Sequence, residues 1–413
     1  VSIQTPSFEL SNGGVINSGT TNSGRGGDVS IHATDTMSIF GTMADGTPGG
    51  IFSQSIGVEP NSGSGGKITL STSRFQLTDG AQISASTLGS GNAGNVILQG
   101  PASPAQSVLI DGAASGIFTD TQGNGAGGNI FVNANAVTVQ NGGTVSAATS
   151  GTLASSVGGT ITVNAPDTVT LTSGAKITAS STGPGNTGDI QINAGNQFAM
   201  TNSTVTTEAN KSGGGIIKIT TNPNGTVQLT DSTISASVLD GNGGGGSVNI
   251  DPQSVVLINS QILAQAVQGP GGNINITTNL LLPDSTSIIS ASSQFGQQGT
   301  VIIQSPISPA SGKIVPLGQK PLLATSLLSQ RCAAIAGGSI SSFSLAGRDS
   351  LPVEPGGLLS SPLALSMTEY EEGTVREADR MMSDETPLLS LRKIAPPGFL
   401  TQAFGVEASD CQS

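Results

Sequence analysis

Carboxylates are the first residues to weigh, because Asp or Glu side chains paired on one face can cut glycosidic bonds by general acid and base action. Residues 1–305 hold 15 acidic and 6 basic residues. The basic ones (Arg25, Lys67, Arg74, Lys176, Lys211 and Lys218) are scattered along the chain. Asp79 and Asp231 fall at equivalent places, but Asn141, Ser173 and Asn202 stand at or near that place in other copies. Turn chemistry explains this set better than catalysis, since Asp and Asn favour turns. Asp240-Gly241-Asn242-Gly243-Gly244 resembles a Gly/Asp-rich calcium repeat, but such arrays carry the Asp at every turn, and here it occurs once. It reads as a Gly loop. Gly66-Lys67 is followed by Ile68 rather than Ser or Thr, so it is not a phosphate-binding loop. Cys332 and Cys411 have no neighbouring His, which argues against a zinc site or a catalytic thiol. They are either a disulfide pair or two free thiols. No catalytic, cofactor-binding or metal-binding residue is expected, and the chain reads as a non-enzyme.

Composition narrows the classes further. The 413 residues include 59 Gly, only 10% charged residues, one Tyr and no Trp. Ordinary domains carry about 25% charged residues. The net charge of −12 argues against nucleic acid and anionic lipid, both of which require clustered Lys and Arg. There is no apolar run long enough for a transmembrane helix. Val1-Ser2-Ile3 reads as the middle of a repeat, so an N-terminal region is expected upstream.

The elements that would position any site come from a repeat. Gly-x-aliphatic-x-aliphatic-polar starts at Gly27, Gly66, Gly94, Gly128, Gly159, Gly188, Gly215, Gly246, Gly272 and Gly299. The first aliphatic residue is always Val or Ile, from Val29 to Val301; the second, from Ile31 to Ile303, is always Ile, Leu or Val. Two residues apart places both on one face of a strand, where β-branched side chains fit well. A second alternating stretch follows (Val169-Thr170-Leu171), then a turn, then a third stretch (Thr233-Ile234-Ser235), then a Gly/Asn-rich loop. A unit this small cannot bury its own apolar face, but a stack of such units can. The expected fold is therefore all-β: a right-handed, three-sided parallel β-helix of about ten rungs over residues 1–305, on the order of 50 Å long at about 4.8 Å per strand. A β-propeller fits less well, because its blades need four antiparallel strands and about 40 residues.

The residue closing each motif is polar throughout: His32, Ser71, Gln99, Asn133, Asn164, Asn193, Thr220, Asp251, Thr277 and Gln304. Stacked, these form a polar column able to hydrogen-bond at the bend. His32, the only histidine, occupies one slot of it, a structural role. The longest copies suggest inserted loops at Thr42–Pro60 and Pro101–Gly125, where binding specificity could sit.

After Gln304 the pattern stops. Pro306, Pro309, Pro316 and Pro321 oppose further strand stacking. Residues 306–413 read as a small irregular tail, with a short helix over Leu322–Ile335, a strand over Ser339–Ala346 and an acidic stretch over Glu369–Glu385. Capping the open end of the solenoid is the expected role, since a bare last rung invites aggregation.

The repeats, with versions such as Asn129-Ile130-Phe131-Val132-Asn133-Ala134 and Ala81-Gln82-Ile83-Ser84-Ala85-Ser86-Thr87, resemble the filamentous haemagglutinin family over about residues 8–305. Arg331-Cys332-Ala333-Ala334, Ser341-Ser342-Phe343-Ser344-Leu345-Ala346-Gly347-Arg348-Asp349-Ser350-Leu351-Pro352 and Ala395-Pro396-Pro397-Gly398-Phe399-Leu400 resemble the C-terminal signature of one of its subgroups, some of whose members are described as S-layer-like. The resemblance implies a large Gram-negative exoprotein of two-partner secretion, exported through an outer-membrane β-barrel transporter that recognises an N-terminal domain outside this chain. The expected function is a secreted, surface-exposed adhesive stalk that meets host or matrix glycans or proteins in attachment or biofilm. A β-helix polysaccharide lyase or hydrolase and a passive surface-layer scaffold are the alternatives.

Overall fold

The computed structural model describes residues 1–59 and 61–306. Within them every element is a strand, every strand pairing is parallel, and equivalent residues of successive copies lie side by side as a β-solenoid of about ten turns. Each turn contributes to three columns of strands. In the first, Val29, Ile68, Val96, Ile130, Ile161, Ile190, Ile217, Val248, Ile274 and Val301 follow one another in register. In the second, Met37, Phe75, Val108, Val137, Val169, Phe198, Val227, Val255 and Leu281 do the same. The third is a 10-stranded sheet of short strands, from Val15–Asn17 to Ile288–Ser290. Residues Ser2–Leu10 and Val15–Asn17 add a turn before the first Gly motif.

The inward residues of the three columns merge into one hydrophobic core along the stack. Nine of the ten leading Val/Ile positions are at most 1% exposed; the tenth, Val301 on the last described strand, is 41% exposed. A buried aliphatic side chain of this size is worth about 1.5–3 kcal/mol over an exposed one. Repeated at every turn, that term holds the solenoid together.

The recurring glycines have a steric cause. A Cβ on Gly128 would stand 1.8 Å from the carbonyl oxygen of Gly94, and one on Gly159 would stand 1.9 Å from that of Gly128. Gly188, Gly215, Gly246 and Gly272 meet the preceding glycine of the column in the same way, at 1.9–2.0 Å. The chain passes so close to its equivalent one turn earlier that no side chain fits between them.

Two expectations need correction. First, the sequence pattern places three separate stretches in each copy, but in three copies the first two run on as one strand: Val29–Phe40, Ile68–Thr78 and Ile130–Gln140. They are separate strands in the copy of Val96–Gln99 and Ala105–Asp111, and in the described copies from residue 161 onward, as in Ile161–Ala165 and Thr168–Thr172, where Pro166 has no amide to donate across the bend. Second, Thr42–Pro60 and Pro101–Gly125 are not continuous inserted loops, because each contains strands of the repeat. Gly50–Phe52 and Gly116–Phe118 are strands of the third column, and Ala105–Asp111 is a strand of the second. Part of the extra length lies in two short excursions: the turn closed by the Met43 amide on the Thr47 carbonyl (2.7 Å), and the bend at residues 101–104. The readings of the tail (Cys332 with Cys411, the helix, the strand, the acidic stretch and the cap) lie outside the described residues.

Candidate functional site

The polar residues closing each motif stack in register: His32 on Ser71, Ser71 on Gln99, Gln99 on Asn133, then Asn164, Asn193, Thr220 and Asp251. The His32 Nδ1 lies 3.1 Å from the Ser71 hydroxyl. The Asn133 amide donates to the Ser103 hydroxyl at 2.5 Å. The Asn193 amide donates to the Asn164 side-chain oxygen at 2.6 Å, and the Thr220 hydroxyl donates to the Asn193 side-chain oxygen at 2.7 Å. Gln99 and Asp251 keep their place in the stack without a side-chain bond of this kind.

From residue 164 onward the bend between the first two stretches is concave. There the polar column becomes one wall of a groove, and the bend residues become the other. Its upper part, about 360 Å³, is bounded by Asn164, Pro166, Asn193, Gly195, Thr220 and Asn222. Its lower part, about 600 Å³, continues past Asn222 along Asp251, Gln253, Thr277, Asn279 and Gln304. Among the described residues the groove contains amides, hydroxyls and one carboxylate, with no Lys, Arg or aromatic residue on its walls.

A second polar line, which sequence reasoning missed, runs along the outer side of the third column. The Ser84 hydroxyl donates to that of Ser86 at 3.0 Å, and the Ser86 oxygen accepts the Asp120 amide at 3.1 Å. Asp120 accepts from the Ser146 hydroxyl (2.5 Å) and the Ala148 amide (2.8 Å). Further on, Thr178, Ser180 and Thr206 bond to one another, and Ser235 donates to Glu208 at 2.6 Å. Burial raises the Asp120 pKa, against the opposing pull of these two donors. The signal was present in the sequence: Ser86, Asp120, Ser180, Glu208, Ser237, Gln265 and Ser292 occupy one repeat position, interrupted only by Ala148.

Asp120 and Glu208 are the two carboxylates in that line. Backbone bonds from Thr121 to Ala148, Thr149 to Ser180 and Ser181 to Glu208 place them three turns apart. Three strand spacings are about 14 Å, whereas a glycosidase pair stands about 5–9.5 Å apart. They do not form such a pair. Asp79 and Asp231 sit with φ of 55° and 49°, in series with Asn141 (53°), Ser173 (55°) and Asn202 (47°). The left-handed turn explains why Asp, Asn and Ser recur at this place.

No family model matches this chain, and neither a curated protein nor a solved structure matches it. The comparisons therefore assign no family, and the groove and the two polar lines stand on their own geometry. Asp240 bonds to the Gly241 amide at 2.7 Å in an ordinary turn. Among the described residues, no three His, Cys, Asp or Glu side chains converge as a metal site would require.

Proposed function

We propose that this chain is part of a surface-exposed adhesive stalk of the filamentous haemagglutinin type, wound in the right-handed sense that parallel crossovers take. In this reading it is secreted by a Gram-negative cell through a dedicated outer-membrane β-barrel transporter. It stands at the cell surface, where it meets glycans or proteins of a host, a matrix or a biofilm, and it performs no chemistry. The observation that carries the reading is the unbroken core through about ten turns. A stack in which each turn is held by its neighbours makes a stiff spacer, and its length can grow by adding turns.

The test is attachment. Beads coated with the full chain should bind cells or matrix better than beads coated with an inert β-solenoid of equal length. Equal retention on both would favour a passive surface-layer scaffold. A glycan-cleaving enzyme is the second reading, favoured by one observation: Asp120 is a half-buried carboxylate whose pKa is raised. Release of reducing ends from neutral or acidic polysaccharides, abolished by Asp120→Asn, would establish that reading and overturn the stalk.

A further inference from the structure

The groove between the first two strand columns changes character along its length. In its upper part the polar groups are used internally: Asn193 bonds Asn164, and Thr220 bonds Asn193. In its lower part the side chains of Asp251, Gln253, Asn279 and Gln304 are exposed and bond to no other side chain or backbone group among the described residues. Their backbones, by contrast, are tied down. The Asn279 amide donates to the Gln253 carbonyl at 2.9 Å, the Gln253 amide to the Gly225 carbonyl at 2.9 Å, and the Thr278 amide to the Gln304 carbonyl at 2.9 Å. Free polar groups on a fixed frame, in a groove of about 600 Å³, are what a hydrogen-bonding ligand needs.

We infer that this lower groove, along Asp251, Gln253, Asn279 and Gln304, binds an extended neutral polysaccharide lying parallel to the stack of turns. Three features select that class. The free groups are amides and one carboxylate, which pair with sugar hydroxyls as both donors and acceptors. Among the described residues no Lys or Arg lines the groove, and Asp251 lies within it, so sulfated or uronic polymers would meet an unpaired like charge. The groups lie on three successive turns about 4.8 Å apart, close to the repeat of an extended pyranose chain, so about three consecutive sugars each meet the polar groups of one turn. Among the described residues the groove offers no aromatic platform, so each sugar contributes little and affinity must accumulate over those three sugars.

This inference deepens the adhesive reading and rests on it for its biological meaning, but its test is separate. The full chain is titrated calorimetrically with four long neutral polymers (a β-1,4-glucan, a β-1,3-glucan, a mannan and a galactan), with disaccharides of the same linkages, and with a polyuronate. At least one long neutral polymer should bind, its disaccharide should bind at least about tenfold more weakly, and the polyuronate should not compete. The double variant Gln253→Ala/Asn279→Ala should weaken binding by about tenfold, from the loss of two or more hydrogen bonds. Asn133→Ala, in the same polar column but outside the groove, should leave binding unchanged. Unchanged thermal melts would show that all variants fold. Absence of binding to all four neutral polymers, equal binding of the polyuronate, or binding indifferent to the double variant would overturn the inference. Attachment of coated beads to cells would survive each of those results if the stalk reading holds through another surface, so the two can fail separately.

Discussion

Gly159 shows how much one position can decide. Its missing side chain leaves room for the Gly128 carbonyl, which a Cβ would approach to 1.9 Å. Because that obstacle is backbone, relief requires the two turns to part. Gly159→Ala should cost about 2–4 kcal/mol, read as a lower urea midpoint; an unchanged midpoint would mean the turns are not in such close contact. The glycine spacing was legible in the sequence because this constraint recurs at every turn. The burial of Asp120 was not, because its sequence position is occupied by Ser in several other copies and only the fold shows how far the carboxylate is withdrawn from water. Two acids now make opposite predictions. Burial raises the Asp120 pKa, so its charged form opposes folding, and stability should fall as pH rises from the ordinary 3.8 through the folded value. The Asp284 pKa is held far below 3.8 by donors on Ser287 and Thr286, so its contribution is present above 3.8 and lost as pH falls through the folded value. Relative to the parent chain, Asp120→Asn should gain stability as pH rises out of the acid range, and Asp284→Asn should lose it. Denaturation midpoints across pH check both signs.

At the scale of the strand, alternation sets the outcome. Ile216 and Ile217 are adjacent in sequence, yet Ile216 is 47% exposed and Ile217 is 0% exposed. Ile217→Ala should cost about 2–5 kcal/mol, and Ile216→Ala no more than about 0.5 kcal/mol. Similar costs for the two would mean that the strand lacks a distinct inner face. This two-residue period made the first column readable, since Val or Ile recurs at a fixed distance from each glycine. The second column was less readable because its distance from the glycine varies. Val108 and Ile110 were hidden within what looked like one long insert, and the fusion of Val29–Phe40 into a single strand depends on a bulge between Ala33 and Thr36 that composition does not announce. The groove was unreadable for the same reason. Asn193 and Asp251 were visible as members of a polar column, but the concavity that turns the column into a wall belongs to the stacked bends from residue 164 onward and is not written in any one copy.

At the scale of the whole solenoid, the account rests on translation: residues separated by one copy in sequence are separated by one strand spacing in space, whatever the length of the copy. Gln76, Leu109, Thr138, Thr170, Ala199 and Gln228 occupy one register of the second column, facing away from the core. The direct measurement is the distance between spin labels at Gln76 and Thr170, and between labels at Gln76 and Gln228, with Cys332 and Cys411 replaced by Ser. Three and five turns predict backbone separations of about 14 and 24 Å, a difference of two strand spacings. Distances that do not grow by this step, or broad distributions indifferent to the pair chosen, would contradict the stacked solenoid and remove the frame on which the groove and the stalk depend.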